Sequence, residues 1–147
     1  MRSTYRVLAQ LVAIGVVLQV AFIAFAWFDV LSAVDDGQAF ADFEDDSNVG
    51  HLLHSIGGTV IPLLGLALLV VSFFAKIPGG VKWATIVFGV VVLQFVLAIV
   101  AFSAPVIGAL HGVNALVLAG VADQAARRAK QSSPTGSGRP QAGARVA

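Results

Sequence analysis

His51, His54 and His111 are the three histidines of a chain without cysteine, and two of them stand in matching settings. His51, His54, Gly58, Ile61 and Gly65 follow one another at helical three-to-four spacing, and so do Gly108, His111, Ala115, Leu118 and Ala122. In both stripes a histidine is followed one turn on by a residue with almost no side chain. Two imidazoles facing each other across such residues suit the two axial positions of a haem iron, and helical bundles commonly build cofactor sites from inward side chains. On this reading His54 and His111 are the ligands of a b-type haem, and Gly58 and Ala115 make room for it. A plainer reading stands beside it. Small residues let helices pack closely, and a neutral histidine can bond across the bundle, with Asn114 the obvious partner for His111. His51, nearer the helix start, is a rim residue or a further metal ligand. The absence of cysteine removes thiolate ligands, disulfides and a cysteine nucleophile. No general base or nucleotide-binding loop is recognisable, so no catalytic residue is assigned and the chain does not read as an enzyme.

These residues must be positioned by long apolar helices. The chain has 147 residues, 58% hydrophobic and 12% charged, with a mean hydropathy of +0.90. A soluble domain carries about 25% charge, so the composition implies a bilayer as solvent. The first uncharged run, Val7 to Phe28, is 22 residues, longer than the ~7–15 of a secretory signal core, and reads as a first transmembrane helix. Residues 47–75 give a second run of 29, and residues 83–122 a third of 40. A span takes roughly 20 residues at ~1.5 Å each, so the third run holds two, broken at Ser103-Ala104-Pro105. The expected fold is all-α: a transmembrane four-helix bundle with spans at about 6–28, 49–75, 82–103 and 106–127. Residues 29–48 are expected as an acidic outer loop, Lys76-Ile-Pro-Gly-Gly-Val-Lys82 as a tight turn, and 129–147 as a disordered Ser/Gly/Pro-rich tail. His54 and His111 then lie at similar depth, each about 9 Å along its helix.

Charge orients the bundle. Arg2, Arg6, Lys76, Lys82, Arg127, Arg128, Lys130, Arg139 and Arg145 all fall on one side of four spans. Asp29, Asp35, Asp36, Asp42, Glu44, Asp45 and Asp46 fall on the other, with Asp123 the exception. Basic residues flanking spans stay cytoplasmic, which predicts a multi-pass protein of the plasma (inner) membrane with both termini inside. The basic residues need no nucleic-acid partner to explain them; the lipid bilayer is the expected one.

A short repeat runs through the apolar pattern. Val16-Val17-Leu18-Gln19 matches Val91-Val92-Leu93-Gln94, and a histidine follows each in the next span. A duplication would make two tandem helical hairpins related by an axis along the membrane normal; otherwise the match is the chance likeness of Val-rich helices. Gln19 and Gln94 are expected near mid-bilayer, bonding to each other as structural glue at about 0.6 kcal/mol. Pro62 is a candidate kink.

His51-Leu-Leu-His54-Ser-Ile-Gly-Gly58, the stretch from Ser72 to Trp83 and Leu110-His111-Gly-Val-Asn-Ala-Leu116 resemble segments of small actinobacterial four-helix integral membrane proteins of unknown function. The likeness covers most of residues 1–128. More distantly the chain resembles one four-helix half of haem A synthase, in which even-numbered helices carry haem-ligating histidines near the outer side; His54 and His111 fit those positions. Gly50, Leu52 and Leu53 stand where that family carries an acidic residue before the ligand, so the resemblance implies bis-histidine haem binding rather than the synthase reaction.

Three functions are compatible with the sequence. One is a b-type-haem-binding, cytochrome-like electron carrier working with quinone or a partner oxidoreductase. Another is a non-catalytic accessory or structural subunit of a larger membrane complex. The third is a divalent-metal-handling protein using the acidic loop with His51, His54 and His111.

Overall fold

The structure, a computed structural model, describes residues 1–40 and 48–131. Four helices carry it: α1 (Arg2–Asp35), α2 (Val49–Ala75), α3 (Gly80–Ser103) and α4 (Ile107–Gln131). Helix α1 packs on α2 and α4, and α3 packs on the same two. The helices therefore close a four-sided ring in which α1 stands opposite α3, and α2 opposite α4.

Helices α1, α2 and α3 are long and apolar enough to cross a membrane. Helix α4 falls short of that description, contrary to a fourth span equivalent to the others. Its uncharged part ends at Asp123, and its last turns carry Arg127, Arg128 and Lys130. The outer surface is apolar: Phe28, Phe73 and Phe74 are exposed, and Phe102 is 92% exposed. A water-soluble bundle rarely shows so much contiguous apolar surface; hydrocarbon solvates it without cost.

The expected bounds hold for α2 and shift elsewhere. Helix α1 runs four residues earlier and seven later than 6–28, because Asp29 and Asp35 do not interrupt a helix whose end projects past its neighbour. The proposed loop 29–48 is thus helical to Asp35. Helix α4 continues to Gln131, so residues 129–131, expected in the tail, are helical; Ala125, Ala126 and Ala129 are buried against the bundle and extend the helix beyond the apolar run. Residues 41–47, with Asp42, Glu44, Asp45 and Asp46, and residues 132–147 lie outside the described set.

Side chains fasten both ends of the ring. At one end Arg2 donates to the carbonyls of Ala75 (3.4 Å) and Lys76 (3.0 Å), and the Tyr5 hydroxyl donates to the Gly80 carbonyl (2.9 Å). These contacts hold the α2–α3 turn, where Lys76 takes a left-handed φ of 51° and Gly79 one of 70°. Arg128 lies 4.9 Å from the centre of the Trp83 ring. All described Lys and Arg residues gather at this basic end. At the acidic end Asn48 caps α2 by accepting from the His51 amide (3.0 Å) and donates to Asp29 (2.9 Å) and to the Ala26 carbonyl (3.3 Å). That clasp ties the start of α2 about two turns below the end of α1.

The core is unevenly filled. Toward the basic end Tyr5, Ala9, Val12, Leu68, Ala75, Ala84, Val87, Ala122 and Ala125 are closed to solvent. Alanine dominates, and its small side chain lets the helices approach closely. Toward the acidic end the ring opens around a cavity.

Candidate functional site

The cavity occupies about 590 Å³ and receives residues from all four helices. That falls within the ~300–1,000 Å³ of typical small-molecule sites. Its walls are apolar apart from Gln19, His54, Ser55, Thr59, Gln94 and His111. Gly58 and Ala115, the small residues one turn below the histidines, both line it. A Cβ built on Gly58 would meet nothing within 4 Å, so this glycine borders open space, whereas Ala115 is buried. His54 and His111 project into the same cavity from the opposite helices α2 and α4. Pro62 also lines it without ending α2; lacking an N–H, it denies the Gly58 carbonyl its usual ladder donor.

Each histidine is anchored to the glutamine of the helix before it. His54 Nδ1 lies 3.1 Å from the Gln19 carbonyl, and His111 Nδ1 lies 3.1 Å from the Gln94 carbonyl. A carbonyl oxygen only accepts, so both rings carry their proton on Nδ1 and direct the Nε2 lone pair elsewhere. This is the tautomer a ring needs to bind a metal through Nε2, with the backbone carbonyl as the orienting outer partner.

Beyond that anchor the two pairs diverge. The Gln94 side chain turns back to His111, its amide nitrogen 3.1 Å from Nε2. Asn114 fixes this orientation by donating to the Gln94 side-chain oxygen (2.7 Å) and to the Val90 carbonyl (3.2 Å). With its oxygen accepting from Asn114, the Gln94 amide must donate to the ring. The Gln19 side chain instead donates to the Leu53 carbonyl (3.2 Å) and lies against Gly57, where any Cβ would overlap its amide. His54 Nε2 has no hydrogen-bond partner among the described residues.

Two expectations are corrected here. Gln19 and Gln94 do not bond each other, because α1 and α3 stand on opposite sides of the ring. Asn114 does not bond His111 directly; it reaches the ring through Gln94. His51 stays outside the cavity lining and packs edge-on against Trp27, ring centres 5.5 Å apart, with Phe40 stacked on the same indole at 6.5 Å. Among the described residues no three His, Cys, Asp or Glu side chains come together as a metal site; the loop acids 42–46 lie outside that set. Asp123 pairs with Arg127 (2.6 Å) on the surface, as the four-residue spacing predicts.

Sequence reasoning missed Gly57 and the polar chain Asn114–Gln94–His111. Overlaying the repeat on the histidines would have exposed both, since Gly57 and Asn114 each stand three residues after a histidine.

Comparison with protein-family models, curated proteins and solved structures found no match to this chain.

Proposed function

We propose that the chain is a membrane-embedded four-helix bundle that holds a b-type haem in the cavity between His54 and His111 and carries electrons. The supporting observation is the pair of Nδ1-anchored imidazoles entering one apolar cavity from opposite helices. His54 Nε2, which is open, would be the first ligating atom, and His111 Nε2 could join it only once the Gln94 amide leaves that nitrogen; the Gln19 and Gln94 carbonyls hold the ring planes and raise ligand basicity. Gly58 leaves space for the macrocycle. Ser55, beside His54, offers a hydroxyl to polar substituents. A bound haem would supply one-electron chemistry, and the anchored His54 ring would fix where it sits.

In the same reading all four helices lie in the plasma membrane, the basic end faces the cytoplasm by the Lys/Arg rule, and the cavity opens near the outer side. The VVLQ repeat and the two equivalent histidine–carbonyl bonds support an origin as two tandem hairpins. Electron exchange is with a membrane quinone or a partner oxidoreductase.

One observation favours a second reading. Both ring nitrogens of His111 are already bonded, as in a residue whose task is to hold helices together. On that reading the bundle is a cofactor-free subunit of a larger membrane complex.

Haem titration of the detergent-purified full chain separates the two. The haem reading predicts uptake of one haem per chain with a Soret band, lost in His54→Ala. A well-folded chain that takes up no haem, and co-purifies with a large membrane partner whether or not His54 is present, establishes the second reading instead.

A further inference from the structure

The repeat places chemically different residues at one position, and this makes the two sides of the cavity unequal. Three residues after His54 stands Gly57; three residues after His111 stands Asn114. With no side chain at Gly57, the Gln19 amide settles into the gap and bonds the Leu53 carbonyl, leaving His54 Nε2 open. Asn114, only 8% exposed and held by the Val90 carbonyl, grips the Gln94 oxygen and presses its amide onto His111 Nε2. One lone pair is therefore free and the other is capped by a hydrogen bond that must break before the atom can bind anything else.

Resting on the haem reading above, we infer that His54 is the permanent axial ligand and that the face toward His111 is an exchangeable coordination position for a small neutral diatomic ligand. While Asn114 holds Gln94 on His111, that Nε2 would not be available to the metal of a bound haem. The Gln94 amide also supplies a hydrogen-bond donor on this face. The polarity and donors of the pocket across the iron decide whether a haem binds such ligands or only passes electrons. Release of Gln94 from Asn114 frees His111 Nε2 to take the position and exclude the ligand. Binding is simple coordination: one lone pair on the ligand or on His111 fills one vacant site, and no electron or proton changes owner.

The test uses the haem-loaded full chain, reduced with dithionite and titrated with carbon monoxide, followed by visible spectroscopy. Wild type is expected to show a high-spin fraction and a carbon monoxide complex. Asn114→Ala and Gln94→Leu, which free His111, are expected to raise the low-spin fraction and weaken apparent carbon monoxide affinity about 3- to 10-fold, the worth of one hydrogen bond. His111→Ala is expected to keep haem and bind carbon monoxide at least as tightly as wild type. Thermal melts of each variant separate loss of the latch from loss of fold. Fully low-spin wild-type haem that ignores carbon monoxide overturns the inference and leaves the bis-histidine reading standing, as does an affinity unchanged in both latch variants. Failure of the wild-type chain to take up haem overturns both.

Discussion

The two halves of the bundle solve the same packing problem in opposite ways. At the basic end, alanines and a few large side chains fill the ring, and a buried tyrosine ties α1 to the α2–α3 turn. At the acidic end the same four helices leave about 590 Å³ open, walled largely by small and aliphatic residues and edged by two histidines and two glutamines. Tight packing is available to this sequence, since it is achieved a few turns away, so the open half is better read as a site than as a failure to pack. The polar side chains between the two ends agree: Gln19, His54, Gln94 and His111 line the cavity, and each imidazole is anchored through Nδ1.

This contrast can be broken by substitution. Leu68→Ala, in the closed half, is expected to cost about 2–3 kcal/mol, the packing and cavity share of a core truncation, read by unfolding in detergent. A smaller loss, about 1–3 kcal/mol, is expected for Gly50→Ala. A Cβ there would lie 2.7 Å from the Ala26 backbone nitrogen and the Phe22 carbonyl, so even the open half depends on one close backbone approach. Tyr5→Phe removes the bond to the Gly80 carbonyl and is expected to cost about 1 kcal/mol, visible as earlier loss of the α2–α3 turn in hydrogen exchange. Gly58→Ala sharpens the comparison from the other side. The added methyl enters open space in a helix, so stability should hold or rise by up to about 1 kcal/mol. A large loss at Gly58 would mean that the cavity is closed in solution.

Much of this was legible from residue pattern. The stripes of His54 and His111 with their small followers do line one cavity, and α2 runs over the expected residues. Periodicity carries such information because the inward face of each helix is chemically distinct. Helix ends were less legible: Asp29 and Asp35 are tolerated where α1 runs past the start of α2, and the polar end of α4 stays helical because Ala125, Ala126 and Ala129 are buried against the bundle. The pairing of polar groups was misread for a geometric reason: whether Gln19 can reach Gln94 depends on which helices are adjacent in the ring, and equal depth says nothing about adjacency. Gly57 carries no signal of its own beside Gly58, because its use, to seat the Gln19 amide, depends on how α1 packs on α2.

The central claim, that the open half is a haem site, is tested most directly by filling it. Gly58→Leu places a side chain in the cavity, and Gly89→Leu places the same side chain on the exposed face of α3, where a Cβ also meets nothing within 4 Å. Both should fold. The Soret absorbance of the haem-supplied proteins is predicted to be lost in Gly58→Leu and retained at wild-type stoichiometry in Gly89→Leu. Equal haem content in the two variants, or none in wild type, would contradict the account.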